Sequence, residues 1–467
     1  MIRTDDIRYA LRLGVTCLTV PGGAVLLNPP HNEKLTGLTP AQSQALKILN
    51  QGPATTGELA AESDSVATLL DRLAGAGWLE VTVRDGDRDL YTLRPFTTPP
   101  ARPSAGGGPR TVLSKFTVIH RDPDGLVLEH PTSWCDLRVH DPRLLALAAG
   151  ADPTELGLPE SLSARIAADL RWGGFTADPT VEDRDFTTRS WSAPDLWFHR
   201  RSTLGSRTVT WDNFGPTAWA KDEFPQRPAQ RAPYPGAPIA LPAPDLATLR
   251  ATDPALTAVL EDRRSCRSFD DARPITVAQL AELLYRSART RSVESTPDGG
   301  ELPSRPYPSG GSVHELELYP VVRTVEGLAP GMYHYDSFEH ALRPVAPADS
   351  PAVQRLLRTT TATLANAAEP QLLLLISARA GRVMWSYESV AYANILKHVG
   401  VLMQTLYLTA TAMNLGAVAQ GFSDTAAFTA ATGADELEEC NVGSMILGTP
   451  AGDRWSGCHT RLGASRS

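Results

Sequence analysis

The sequence predicts an α+β protein in which winged helix-turn-helix-like modules precede a larger C-terminal domain. Three observations carry this reading. Within the first hundred residues, helical patterns are followed by a hairpin signal at 79–93; Pro/Gly-rich breaks fall at 97–110 and 224–244; and after Asp245 long helices alternate with short, wholly apolar strands. At 467 residues the chain exceeds the roughly 250–300 residues over which one hydrophobic core grows. The expected organisation is a winged-helix-like module at 1–96, a linker at 97–110, a second, degenerate module with a crossover at 111–235, and the main domain at 236–467.

Each element has a local cause. Tyr9–Leu13 and Gly22–Leu27 read as short strands. Thr39-Pro40 places a capping hydroxyl ahead of a proline at the first helical position. Leu46, Ile48 and Leu49 give that helix its apolar stripe, Thr56–Ala60 and Asp64–Leu73 supply further helical patterns, and Asp85-Gly86-Asp87 joins the arms of the hairpin. Three short helices and a two-stranded wing make a winged helix. Between Thr36 and Arg94, however, five Lys or Arg face eight Asp or Glu, so phosphate is repelled and a nucleic-acid role is disfavoured. A scaffold, or a module that docks a peptide along a strand edge, fits this charge better. Asp141-Pro142 repeats the Thr39-Pro40 pattern, and Glu160–Leu170 offers a second helix. The Pro-rich stretch 224–244 reads as an extended crossover rather than a packed element.

In the main domain, Thr276 caps a helix with Leu280, Leu283 and Leu284 on one face. Val313–Val322 and Val442–Leu447 are core strands, and Gln371–Ser377 is a strand buried on both faces. Ser389–Asn414 is one long helix that stops at Leu415-Gly416.

Composition narrows the function. A net charge of -8 argues against a broad nucleic-acid footprint. Five widely spaced cysteines without a CxxC pair argue against a disulfide framework or structural zinc. The start MIRTDDIRYALRLG is too acidic for a secretory signal, and no run of 18 apolar residues follows, which points to a cytoplasmic chain with no membrane span.

Two clusters carry candidate chemistry. Arg263, Arg264 and Arg267, with Ser265 between them, suit a phosphate or carbonyl clamp, although a solvated basic turn has the same composition. Pro308-Ser309-Gly310-Gly311 forms a small-residue ledge ahead of a strand, where a flat ligand can approach the backbone; a plain turn is the alternative. Neither the GxGxxG nor the P-loop pattern is present, and there is no HExxH or GxSxG motif.

Taken in order, RRSCRSF, RPYPSGGSVHELELY, GMYHYD, the helix SYESVAYANILKHVGVLMQTLYLTATAMNLGA and MILGTP resemble the FMN-dependent nitroreductase-like family, and within it the SagB-type azoline dehydrogenases. FHRRSTLG at 198–205 is similar to the stretch ahead of the catalytic domain in that branch. The resemblance implies FMN held at the interface of a homodimer. It implies that Arg263, Arg264, Ser265 and Arg267 contact the phosphate, ribityl chain or pyrimidine edge, that Pro308, Ser309, Gly310 and Gly311 lie against the ring, and that Gln404, Gln420, Gly421 and Arg461 complete the pocket. The implied reaction removes two hydrogens from a peptide thiazoline or oxazoline, with hydride passing to FMN and O2 reoxidising it. The implied partners are a precursor peptide and a cyclodehydratase. Where family members active on azolines carry a Lys-Tyr pair, this chain has Ser386-Tyr387. The candidate catalytic groups are therefore Tyr387 and Ser386, with Tyr387 the better proton carrier. An NAD(P)H-dependent nitro, quinone or flavin reductase, a non-catalytic scaffold and a transcription regulator are the competing readings.

Overall fold

The computed structural model describes residues 7–61, 63–103, 111–217, 219–297, 299–364 and 369–452. They fall into two compact units, 1–214 and 215–467.

The first unit begins with β1 (Ile7–Leu11) and a meander of β2 (Thr16–Val20), β3 (Gly23–Asn28) and β4 (His31–Thr36). Next come α1 (Pro40–Gln51), β5 (Ala54–Thr55), α2 (Asp64–Gly75) and the hairpin β6 (Leu79–Asp85) with β7 (Arg88–Pro95). Thr39 caps α1 as its sequence predicts: its hydroxyl accepts the Gln42 N–H at 3.2 Å, while Gln42 Oε1 accepts the Thr39 N–H at 2.9 Å. The α2 stripe Val66, Leu69, Leu70 and Leu73 is buried. Between the helices lie only β5 and turns, so two helices stand where three were expected. The 56–60 stretch is too short for a helix to repay its nucleation cost, and it closes as turns instead.

The element order then repeats. β8 (Val112–Leu113) leads to a second meander, β9 (Val118–Asp122), β10 (Gly125–Glu129) and β11 (Cys135–Val139), followed by α3 (Arg143–Ala148), α4 (Glu160–Trp172) and β12 (Thr176–Ala177). β12 pairs antiparallel with β8, as β6 does with β1. Among the described residues this half has no hairpin corresponding to β6–β7, and its β11 pairs with β7 instead. One seven-stranded sheet, β5-β1-β6-β7-β11-β10-β9, therefore runs through both halves. Satisfying the ladder groups along β7 within the unit leaves no open edge there for strand addition by a peptide. A buried bond also crosses the halves: Tyr91 Oη donates to Asp169 Oδ2 at 2.7 Å, and Arg165 Nε donates to the same oxygen at 2.7 Å. Three short helices, α5 (Pro179–Glu182), α6 (Phe186–Arg189) and α7 (Ala193–Arg201), follow.

In the second unit, α8 (Trp219–Glu223), α9 (Leu246–Thr252), α10 (Leu256–Asp262) and α11 (Val277–Ala288) precede the main strands. The sheet contains β13 (Ile239–Ala240), β16 (Leu316–Val322), β17 (Gly331–Asp336), β18 (Ala341–Pro347), β19 (Leu372–Ala378), β20 (Gly416–Gln420) and β21 (Cys440–Gly448), while β14 (Ser292–Ser295) and β15 (Glu301–Ser304) form a separate hairpin. Its order is β13-β18-β17-β16-β19-β21-β20, every pair antiparallel. β19 sits mid-sheet. Its alternate residues Leu372, Leu374 and Ile376 pack in one core with α11 and the 22-residue α14 (Ala391–Ala412), and Leu373 and Leu375 pack in the other with α12 (Pro351–Thr360) and α15 (Thr425–Thr432). The period of two explains why both faces are apolar. α13 (Ala380–Ser386) leads into α14.

The Pro-rich stretch is extended, as its composition predicts, but it is not loose. Prolines leave carbonyls without matching N–H groups, and guanidiniums use them: half-buried Arg379 donates to Ala229 O at 2.9 Å and Pro228 O at 2.8 Å, and buried Arg382 donates to Arg227 O. Arg231 Nε reaches Glu439 Oε2 at 2.8 Å, and Glu439 Oε1 accepts from Tyr319 Oη at 2.6 Å and Ser377 Oγ at 2.7 Å.

Two buried histidines make stability depend on pH. Desolvation, reinforced by Arg305, pushes His314 down to about 3, and desolvation, opposed by Glu182, pushes His130 down to about 4. Each is kept neutral in the fold and takes up a proton near its ordinary value of 6.5 when unfolded. Their stabilisation is therefore complete above that value and is lost as pH falls from there towards 4. Urea unfolding at pH 5 should show each costing about 2 kcal/mol relative to pH 7, a loss that His314→Asn and His130→Asn reduce.

Candidate active site

The basic segment that follows α10 is held against β20 by an isolated bridge. Ser265 bridges Ala417 in parallel, and the Cys266 N–H donates to Ala417 O at 2.8 Å. The approach is close because residue 416 is glycine: a Cβ there would lie 2.8 Å from Cys266 Sγ. Ser265 Oγ lies 3.1 Å from Tyr407 Oη, which accepts the Ala419 N–H at 2.7 Å. The Arg263 guanidinium stands 5.4 Å from the Tyr407 ring centre. Arg263 and Arg264 are half-buried and Arg267 is exposed. Among the described residues, neither Arg263 nor Arg267 is paired with a carboxylate, which leaves both guanidiniums for an anion.

The small-residue ledge is fixed by a buried relay. The Gly310 N–H donates to His398 Nε2 at 2.7 Å, and His398 Nδ1 lies 2.8 Å from Glu315 Oε1. A backbone N–H only donates, so Nε2 is the acceptor and the ring proton sits on Nδ1, facing the carboxylate. Glu315 is wholly buried. Ser309 Oγ accepts the His314 N–H at 3.0 Å, which closes the turn. Gly311 has φ 59°, and a Cβ there would come within 2.9 Å of Tyr387 Oη. The phenol therefore lies against the glycine face of the ledge. Tyr387 is set by the end of α13, its N–H donating to Val383 O at 2.8 Å, and the carbonyl of Ser386 accepts the Thr217 N–H at 3.1 Å.

α14 sets the separation of the two clusters. His398 and Tyr407 both face inward and are nine residues apart, about 13 Å along the axis. One end of the helix carries the ledge and Tyr387; the other carries the basic segment.

Residues 260–449 match the Nitroreductase family profile, and residues 111–208 match the Cyanobactin oxidase ThcOx profile. The chain is a nitroreductase-like FMN oxidoreductase related to the SagB-type azoline oxidases. Among similar proteins, two are named as putative nitroreductases. The one from Methanocaldococcus jannaschii is 28% identical over 178 residues, covering 38% of this chain and 81% of that protein. The other, a crystal structure from Ralstonia eutropha JMP134, has 24% identity and TM-score 0.37 and covers 51% of this chain and 99% of that one. The E. coli microcin synthetase McbBCD complex with truncated pro-MccB17 bound has 19% identity and TM-score 0.35 and covers 59% of this chain and 95% of the matched one. The assignment rests on the family profiles.

Groups in the nitroreductase-like domain that could hold FMN are Arg263 and Arg267, which face no carboxylate among the described residues, the Ser265 hydroxyl, the ledge 308–311, and Gly421, beside which a Cβ would meet nothing within 4 Å. Gln420 is buried, with Nε2 donating to Thr363 Oγ1 at 3.0 Å and Oε1 accepting from Ser444 Oγ at 2.8 Å, so its amide also ties β20 to its neighbours. Gln404 is on the exposed side of α14, and Pro308 is exposed on the ledge. Arg461 lies outside the described residues. Glu315, His398 and Tyr407 are not among the residues that the sequence motifs single out. The signal for Glu315 is a carboxylate immediately ahead of β16, a strand whose residues are all buried.

Proposed function

We propose that the chain oxidises a thiazoline or oxazoline of a ribosomally made peptide to the thiazole or oxazole. What carries this reading is the combination, in one chain, of a stretch matching the cyanobactin oxidase profile and a nitroreductase-like domain. Bound FMN supplies the two-electron acceptor, with O2 as its oxidant. Arg263, Ser265 and Arg267 hold its polar end, Arg264 flanks them, and the ledge presents backbone to its ring. Tyr387 relays the proton lost by the substrate ring, at Oη, where Gly311 leaves it room; Ser386 lacks the basicity of the lysine that azoline-active family members carry at that place. The two halves of the first unit serve as winged-helix-like docking modules for the peptide, and free cysteines among the described residues suit a reducing cytoplasm. No helix among the described residues is long and apolar enough to cross a membrane.

The test is mass spectrometry of an azoline-bearing peptide with purified enzyme and no added nicotinamide. Loss of two hydrogens per ring is expected; rapid NADPH consumption with an unchanged peptide would refute the oxidase reading.

A second copy of the chain completes the site in this reading. α14 exposes Tyr392, Leu396 and Val401 at 41, 39 and 36%, and Gly400 has open space beside it, a surface suited to a facing helix. Leu396→Glu with Val401→Glu should convert dimer to monomer in light scattering and release FMN.

A further inference from the structure

The loop that follows α7 builds a small polar pocket in the first unit. Its cavity is about 110 Å³, and its lining includes Arg200, Arg201 and Arg207 but no carboxylate. Carboxylates stand behind the wall instead. Glu129 pairs with Arg201 and lies 3.4 Å from Arg207 Nη1, and Asp136 Oδ2 lies 2.6 Å from that same nitrogen. Glu129 is buried, so Arg201 and Arg207 are locked to the sheet through β10 and β11. Aromatic faces add to the hold: Arg207 lies 4.3 Å from the Phe96 ring centre and Arg201 lies 5.4 Å from that of Trp197.

Three guanidiniums against two carboxylates leave one positive charge uncompensated. Arg200 is exposed and forms no ion pair among the described residues. A guanidinium has five N–H donors, more than Glu129 and Asp136 use, and its fork matches a second carboxylate. Ser133 and Thr203 line the same space, but their hydroxyls already donate to Cys135 O and His199 O, each at 2.8 Å, which leaves recognition to the guanidiniums; Leu204, half-exposed, gives an apolar rim. A volume this small admits one acidic side chain and not a cofactor.

We infer that this pocket is a recognition site for an acidic side chain of the peptide substrate, with an apolar neighbour of that residue resting on Leu204 and Trp197. The inference rests on the peptide-oxidase reading and adds a point of sequence selection to it. The site lies on residues that the redox chemistry does not use, so selection of the peptide and its oxidation are separable.

The test is fluorescence anisotropy with two labelled peptides, Gly-Leu-Glu-Glu-Leu-Gly and its Gln-Gln counterpart, on the full chain. The acidic peptide should bind about tenfold more tightly, as one charge-assisted fork contact requires, and the preference should shrink as salt rises. Arg200→Ala should abolish the preference and Arg200→Glu should reverse it, each with unchanged thermal melting by circular dichroism. Equal affinities for the two peptides overturn the proposal, as does a preference that survives in Arg200→Ala. Inorganic phosphate at matched ionic strength should displace no more peptide than chloride does; selective displacement would make this a phosphate site and end the proposal. Binding is read without turnover. A chain that separates Glu from Gln yet leaves azolines intact refutes the oxidase and keeps the site, and an active oxidase with no discrimination does the reverse.

Discussion

Tyr387→Phe should cut azoline turnover by about 10²- to 10⁴-fold, the span over which a positioned acid or base contributes, while visible flavin absorbance is retained. The phenyl ring still packs against the core and still faces Gly311, so binding and folding keep their contacts and only the hydroxyl is lost. The rate of loss of two hydrogens from the peptide, measured beside the flavin spectrum, checks this. Turnover equal to the parent's would remove Tyr387 from the mechanism and leave Ser386 or the substrate itself to handle the proton. Ser386→Ala should have a small effect, since the backbone carbonyl of Ser386 and not its hydroxyl makes the contact with Thr217.

His398→Leu should destabilise the second unit by about 2–5 kcal/mol, because two buried groups lose their partner together. Glu315, wholly buried, would face a hydrocarbon where it now has the Nδ1 proton, and the Gly310 N–H would lose its 2.7 Å acceptor. The ledge would then no longer be fixed, so weaker FMN retention should accompany the lower urea midpoint. Ser309 Oγ, 3.5 Å from Glu315 Oε2, is too distant to compensate. A variant that melts with the parent and keeps its flavin would show that the relay is not what holds residues 309–311. His398→Gln, which has both an acceptor and donors, should recover part of the loss.

Much of the architecture was legible along the chain because its causes are local. The Thr39-Pro40 cap, the α2 stripe from Val66 to Leu73, the period-two burial of β19 and the stop of the long helix near Leu415-Gly416 depend on residues within one or two turns of each other. The ordered motifs from Arg263 to Pro450 also indicated the family and its cofactor. Local pattern failed at 56–60, where helix-forming residues lacked the length to nucleate and became turns. It gave no sign that the Gln420 amide also bonds Thr363 and Ser444.

Residue order and chemistry alone indicated most of the helices and strands, and that the chain is a flavin-dependent oxidoreductase. Three-dimensional packing decided the rest. It placed β11 rather than a free edge beside β7, seated His398 between Gly310 and Glu315 across 88 and 83 residues, and tied the Pro-rich crossover to Arg379 and Arg382 across about 150. The division follows from the range of the forces: capping and periodicity act between neighbours, whereas a buried polar group finds its partner only where the whole fold has excluded water.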